Sequence, residues 1–511
     1  MLLGFRALFS FDEIPSESPR FCVRGEQSGQ SGQIADVVYK VDIISINGSA
    51  KHKLNDHFAL ICGQITNASE LRKMFHSRTG ILLDSDEAII ASFFENYGVT
   101  GFSFFEGLFV AAFISGDGTI NVFSSKTAGP TVYYSFDAQA RTLFLATELK
   151  AFPSSVRKVR EFDDFSADTL SNRKINTILE DVFRVPAGHA FSFNLRDSAE
   201  PQLQQYYSQN RSIAYCDEEN AASMVESALR KTVFAYQGER ANCLISGGLD
   251  SSVVAYLANE RFSELNLFSI GTTSSNEFEF ADKFARSIGK NFERILIEEN
   301  DFLAHLPELL WLTEHPYSTF NEYLIPVHIA HAKVNKEADI MLSGYGSDVL
   351  FAGFAKPETS LLDVTTLIRE EYETTFWSNE ASQTLGGVHG FNVGYPFFDS
   401  SVVDLSFSID PYLKHKNGIE KYILRKTFEG KIQHDVLYRK KIGIHQGTGC
   451  EAYFTHRLNS LGIYDNMRLE KDRYCYSILR ILLEGNYLPD DIIFSEVDVL
   501  FLQSRDIPTN T

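Results

Sequence analysis

The chain has no excess of basic residues, no paired cysteines, no long apolar run and no internal repeat. Each absence removes a class of function. Its 511 residues carry 47 Lys and Arg against 67 Asp and Glu, a formal net charge of −20 at pH 7. A field of that sign opposes a broad grip on nucleic-acid phosphate or on an anionic bilayer. No nucleic acid and no membrane are expected as partners, and any phosphate site has to be a local pocket. The six cysteines (Cys22, Cys62, Cys216, Cys243, Cys450 and Cys475) are scattered, with no C-x-x-C pair. That argues against a zinc site or a disulfide framework and fits a reducing cytoplasm. No apolar run approaches the ~20 residues of a membrane span. The opening MLLGFRALFSFDEIP meets acids at Asp12 and Glu13, so no signal peptide is expected. The 13 histidines form no H-x-x-x-H or H-E-x-x-H pattern, and His328 and His331 read as core or surface residues rather than ligands.

What remains is an ordinary globular composition, 44% hydrophobic and 22% charged, in a chain too long for one core. The first ~195 residues alternate short β-like runs with Gly, Asn and Asp turns, as in 37–48, 57–65, 105–125 and 141–148, which suggests antiparallel sheets. Two stretches, 69–80 and 86–98, have helical spacing and close on glycine. The polar segment 194–215 reads as a linker. Beyond it the period changes. Helices at 220–236, 251–262 and 277–289 alternate with strands at 241–245, 265–271 and 292–298, which implies a parallel, doubly wound sheet. The rest, from about 302 onward, reads as mostly helical.

Cys243–Ala255, CLISGGLDSSVVA, sits at the first strand-to-helix junction of that second part. Glycines let a backbone approach closely, and the free N–H groups of a helix N-terminus hold an anion. Ser246, Ser251 and Ser252 add hydroxyl donors beside Gly247 and Gly248. Asp250 makes sense beside a phosphate only with a cation between them, which gives it a magnesium role. No lysine follows the glycines, so this is not a G-x-x-x-x-G-K-[ST] loop.

The stretch resembles the pyrophosphate loop of the N-type ATP pyrophosphatases, which cut ATP between its α- and β-phosphates. That resemblance implies ATP and Mg²⁺ as cofactors. It also implies an adenine against the strand-end backbone at Ser269, Ile270 and Gly271. A second Gly/Ser loop, MLSGYGSDVLFAGF (341–354), supplies Gly344 and also Asp348, which would pair with Asp250 on the metal.

The likeness then extends over nearly the whole chain. FALICGQITNASELRKMF, FEGLFVAAF, TAGPTVYYS and LFLATELKAF resemble the glutaminase domain of class B asparagine synthetases. LISGGLDSS, LSGYGSDVLFAG, YPFFDSSVV and KYILRKTFEG resemble their synthetase domain. The family implies an α/β fold: an N-terminal Ntn-type α/β/β/α sandwich over residues 1–205, followed by an adenine-nucleotide α hydrolase-like (PP-loop), doubly wound domain with many helices over 206–511. That family's nucleophile is a cysteine directly after the initiator Met. Here Met1 is followed by Leu2, and the nearest thiol is the internal Cys22, so glutamine hydrolysis is expected to be lost.

That loss is shared by the β-lactam-forming relatives, β-lactam synthetase and carbapenam synthetase, and SIGTTSSNEFEFA, SGYGSDVLFAG and YRKKIGIHQGT resemble the latter most. The resemblance implies a cytoplasmic AMP-forming ligase that adenylates a β-amino acid such as carboxymethylproline and closes its amide to a carbapenam. It places Tyr345 as the base with Glu380 as its acid partner, Lys441 as the cation over the reacting carbonyl, and Lys421 on pyrophosphate. Glu370, Glu371 and Glu373 are alternatives to Glu380, and Lys440 is the rival of Lys441. An ammonia-dependent asparagine synthetase, or another adenylating cyclase, is the alternative reading, and a homo-oligomer is left open.

Overall fold

A computed structural model describes residues 2–10, 26–34, 37–45, 53–54, 57–127, 129–197, 200–209, 212–334, 337–378, 384–485 and 487–505. Its first part is built from two six-stranded sheets whose pairings are all antiparallel. Leu2–Ser10 pairs on one side with Val37–Ser45 and on the other with Thr142–Ala146. In the second sheet Gly107–Ile114 lies between His57–Ile65 and Ile120–Ser124.

Period-2 alternation decides which residues meet between the sheets. Ala7, Phe9, Tyr39 and Val41 from the first pack on Leu60, Cys62, Val110 and Ala112 from the second. The other face of the second sheet carries the helices Ala68–Thr79 and Asp86–Tyr97, through Phe75, Ile89, Ile90 and Phe93. Both helices stop at glycines with positive φ, Gly80 (74°) and Gly98 (63°), as the sequence spacing predicts. The predicted linker is not wholly irregular, because Gln204–Gln205 adds a short edge strand against His189–Ala190.

The second part holds a five-stranded parallel sheet in the spatial order Phe292–Leu296, Glu264–Gly271, Arg240–Leu244, Ile340–Leu342, Asn392–Gly394. The three central strands are short and largely buried, the pattern of a sheet covered by helices on both faces. The chain runs outward from Arg240–Leu244 through two strands, then returns to its other side at Ile340–Leu342. That reversal is a topological switch point, where the carboxyl ends of strands leave a crevice.

The two parts are tied together by buried charge. Lys150, with no exposed side-chain surface, pairs with Glu148 at 2.9 Å and with Glu314 of the second part at 2.8 Å. Glu314 also accepts the N–H groups of Leu149 and Lys150. Among the described residues no helix is long and apolar enough to cross a membrane. The five described cysteines are free, and Cys22 lies outside the described residues. His328 and His331 are buried, His328 beside Glu308 at 3.0 Å and His331 on the Leu385 carbonyl at 3.2 Å.

Candidate active site

The crevice begins where Arg240–Leu244 ends. The loop Ile245–Gly248 feeds the helix Leu249–Arg261, whose N-cap is Gly248 and which no side chain caps. Its first-turn N–H groups are therefore left for an anion. Gly247 has φ +67°, and a Cβ there would overlap the Phe280 carbonyl and stand 2.7 Å from Ala281 N. Only glycine meets both demands. The loop is braced internally: the Ser246 N–H donates to Ser251 Oγ at 3.2 Å, and the Gly248 N–H to Ser246 Oγ at 3.2 Å. Ser252 is fully buried, and its hydroxyl has no partner among the described residues.

The adjacent strand outruns its neighbour. Its ladder with Arg240–Leu244 ends where the Ile245 N–H donates to the Phe268 carbonyl at 2.7 Å, yet it continues to Gly271. Alternation turns the Ile270 backbone to the same side as Phe268, beyond the end of the first strand. The Ser269 and Ile270 side chains are buried, and that of Ile270 lies in the apolar core, so what this strand offers the crevice is backbone. Gly271 lets Asn276 fold back, since a Cβ would stand 2.8 Å from Asn276 Cα.

The second Gly/Ser loop closes onto the first. Gly344 packs on it so closely that a Cβ would stand 2.7 Å from Asp250 C and 2.8 Å from Ser251 N. Ser347 donates to the Asp250 carboxylate. Asp250 and Asp348, 98 residues apart in the chain, both grip Lys421: its Nζ lies 2.6 Å from each Asp250 oxygen and 2.7 Å from Asp348 Oδ1. Lys441 Nζ approaches the same Asp348 oxygen at 2.7 Å and lies 4.4 Å from the centre of the Phe354 ring. The four charges thus form one chain, Asp250–Lys421–Asp348–Lys441.

Burial pushes the Asp348 carboxyl up, but the two ammonium groups outweigh it and hold the group well below its ordinary value. Burial pulls Lys421 down, and the two carboxylates more than reverse this. Lys421 itself has φ 54°, uncommon for a residue with a side chain, and its N–H donates to the Phe351 carbonyl at 3.2 Å. Gly353 makes room: a Cβ there would overlap Asp348 Oδ1 and Lys421 Cε.

Tyr345 stands inside this second loop, its ring 5.3 Å from that of Phe398 and 6.4 Å from that of Tyr395. Glu380 lies outside the described residues. Of the alternative acids, Glu373 is taken by Lys174 at 2.8 Å, and Glu370 is exposed. Glu371 is half-buried; burial raises its carboxyl, the Lys441 charge opposes this, and Glu370 and Asp348 add to it.

Sequence reasoning missed three residues: Gly353, Arg439 and Glu277. Gly353 looks like a turn glycine and has no local signal. Arg439 donates to the Ser246 carbonyl at 2.8 Å and pairs with Glu277. Among the described residues no group of three or more His, Cys, Asp or Glu is placed to hold a metal. Mg²⁺ asks less of a protein: one or two carboxylates, with phosphate and water completing its shell. Two carboxylates already converging on one cationic atom fit that demand.

The asparagine synthase family matches residues 221–385 and 379–476, half of the chain. The carboxyethyl-arginine β-lactam synthase of Streptomyces clavuligerus is 26% identical over 448 residues, 86% of this chain and 85% of its own length. The glutamine-hydrolysing asparagine synthetases of Gallus gallus and Homo sapiens are each 29% identical over 245 residues, 45% of this chain and 43% of theirs. The chain therefore aligns with less than half the length of those two enzymes. The NH3-dependent NAD synthetase of Campylobacter jejuni aligns over 54% of this chain and 97% of its own, with 12% identity and a TM-score of 0.23, too slight a likeness to bear on fold or function. The family match takes in both Gly/Ser loops and both lysines of the charge chain, and on it the chain belongs to the asparagine synthase family.

Proposed function

We propose that this chain is an AMP-forming amide ligase that adenylates the carboxylate of a β-amino acid and closes a β-lactam within the same molecule. A carboxymethylproline-type substrate giving a carbapenam is the specific reading. The observation that carries it is the Asp250–Lys421–Asp348–Lys441 chain beside an uncapped helix N-terminus, with Tyr345 in the loop that bears Asp348. The extended likeness to a β-lactam synthase supports ring closure over ammonia transfer. The first part, two facing antiparallel sheets with helices on one outer face, is read as an Ntn-type domain that serves as scaffold, with the boundary near residue 205.

ATP is consumed as a co-substrate. Its adenine lies against the Ile270 backbone, and its β- and γ-phosphates lie on the Ser246–Ser252 loop. Mg²⁺, held by Asp250 and Asp348, would neutralise phosphate charge. A substrate carboxylate oxygen attacks the α-phosphorus, and pyrophosphate leaves toward Lys421. The substrate's secondary amine then attacks the acyl carbon, and AMP departs with the carboxylate oxygen. Lys441 stabilises the oxyanion of the strained tetrahedral intermediate. Tyr345, with a neighbouring carboxylate, takes the amine proton; Glu380 is the reading carried by the family, and Glu371 is the half-buried acid within the field of Lys441 and Asp348. A phenol, whose ordinary pKa is about 10, needs such a partner to act as base.

The test is an incubation with Mg-ATP and carboxymethylproline, and in parallel with aspartate and ammonia, read by mass spectrometry. The proposal expects loss of one water from carboxymethylproline with one AMP per turnover, abolished in Tyr345→Phe. Asparagine formation would instead establish the ammonia-dependent alternative.

A further inference from the structure

Arg439 is used by neither half of that reaction, yet it is among the most constrained side chains near the site. We infer that Arg439 is a positioning residue that holds the Ser246–Ser252 loop and the Lys441 ammonium in one register. The inference rests on the reading that the loop holds the phosphates of ATP and Lys441 acts on the acyl-adenylate made from it.

One arm of its guanidinium donates to the Ser246 carbonyl at 2.8 Å, and another pairs with Glu277. Its face lies 3.7 Å from the centre of the Phe280 ring. The backbone of Phe280 is what obliges residue 247 to be glycine. Arg439 thus joins the end of the first strand, the start of the helix Phe278–Ser287 and the segment that reaches Lys441 two residues later.

The same segment is fastened again beyond Lys441. Ser275 Oγ donates to the carbonyls of Gln446 at 3.1 Å and Gly447 at 3.3 Å, and the Thr272 N–H donates to the Thr448 carbonyl at 3.0 Å. A Cβ on Gly447 would stand 3.0 Å from the Glu277 carboxylate. Lys441 therefore sits on a short span anchored at both ends, with its ammonium held on Asp348.

The Arg439 charge is not available to phosphate. Its side chain is 9% exposed and that of its partner Glu277 11%, so the pair is neutral in place. Lysine could not replace it, because only a planar fork bonds two acceptors at once while stacking on a ring.

The test is a double-mutant cycle of Arg439→Met and Lys441→Met, read in the Mg-ATP dissociation constant by calorimetry and in the rate of AMP formation. Arg439→Met is expected to weaken Mg-ATP about 10-fold and slow AMP formation about 100-fold. With Lys441 already removed, the further loss in the rate of AMP formation should fall at least ~10-fold short of what independent effects would multiply to. Arg439→Lys should recover the melting temperature without recovering the coupling. Losses that simply multiply, or unchanged Mg-ATP affinity in Arg439→Met, overturn the inference. If Arg439→Met does not fold, Glu277→Gln removes one anchor and the same cycle is run with it. A wild type that binds Mg-ATP but makes no AMP defeats the ring-closing reading alone, and the Mg-ATP dissociation constant of Arg439→Met against wild type still decides whether Arg439 positions the loop. A wild type that does not bind Mg-ATP overturns both.

Discussion

Lys414 ends the short helix Pro411–Lys414 and is 2% exposed, with no ion pair among the described residues. Its Nζ donates to Ser406 Oγ at 3.0 Å and lies 5.7 Å from the centre of the Phe407 ring. Ser406 in turn donates to the Leu350 carbonyl, on the turn that carries Asp348. Burial without a compensating charge pulls this ammonium from 10.5 down to about 7. A lysine whose folded pKa is depressed binds its proton less tightly than the unfolded chain does. The penalty is therefore full below about pH 7 and fades as pH rises toward 10.5. At 1.36 kcal/mol per pH unit the full penalty is about 5 kcal/mol. Lys414→Met keeps the stem and removes the ammonium. At pH 7 it should be more stable than wild type by as much as ~4 kcal/mol, and that advantage should shrink steadily to about 1 kcal/mol by pH 9.5. Equilibrium urea unfolding of both proteins at pH 6.5, 7.5, 8.5 and 9.5 measures the difference, which cancels every other titrating group. A variant less stable than wild type, or an advantage that does not change with pH, would refute the reasoning, because it would mean the buried ammonium makes a net favourable interaction.

Gly353→Ala places a methyl group on Asp348 Oδ1 and Lys421 Cε, 2.7 Å from Asp348 Cα. It should cost about 1–3 kcal/mol in stability and lower Mg-ATP affinity by about 10-fold or more, read by calorimetry. Lys150→Met leaves Glu148 and Glu314 buried together without their shared cation. It should cost about 3–5 kcal/mol at pH 7. Burial already raises the Glu314 carboxyl above its ordinary value, so protonation relieves the variant, and its deficit in melting temperature should narrow as pH falls toward 5.

The sequence showed the site's parts more clearly than their assembly. Ser246–Ser252 is legible because the hydrophobic period changes from strand to helix across two glycines, a signal contained in a dozen residues. Lys421 and Lys441 could be singled out only through family motifs. Their meeting at Asp348, and the bond from Lys421 to Asp250 across 171 residues, follow from strand order. Arg439 reaches Ser246 across 193 residues, and no local pattern distinguishes it from the basic run Arg439–Lys441. Gly353 is invisible for the opposite reason: its importance lies in the atoms it lacks. In the first part, alternation predicted strands and the terminal glycines predicted both helix ends, while the edge strand Gln204–Gln205 is too polar and short to read. Glu380 lies outside the described residues, so the acid partner of Tyr345 rests on family motif alone.

The central claim is that the substrate carboxyl is activated by adenylation. It is tested most directly with a substrate carrying oxygen-18 in that carboxylate. Carboxymethylproline labelled in this way is incubated with Mg-ATP and the released AMP is weighed. The account predicts AMP heavier by one labelled oxygen, because the oxygen that attacks the α-phosphorus leaves with the nucleotide when the amine closes the ring. Unlabelled AMP accompanying a cyclised product, or label found in pyrophosphate or inorganic phosphate, would contradict it.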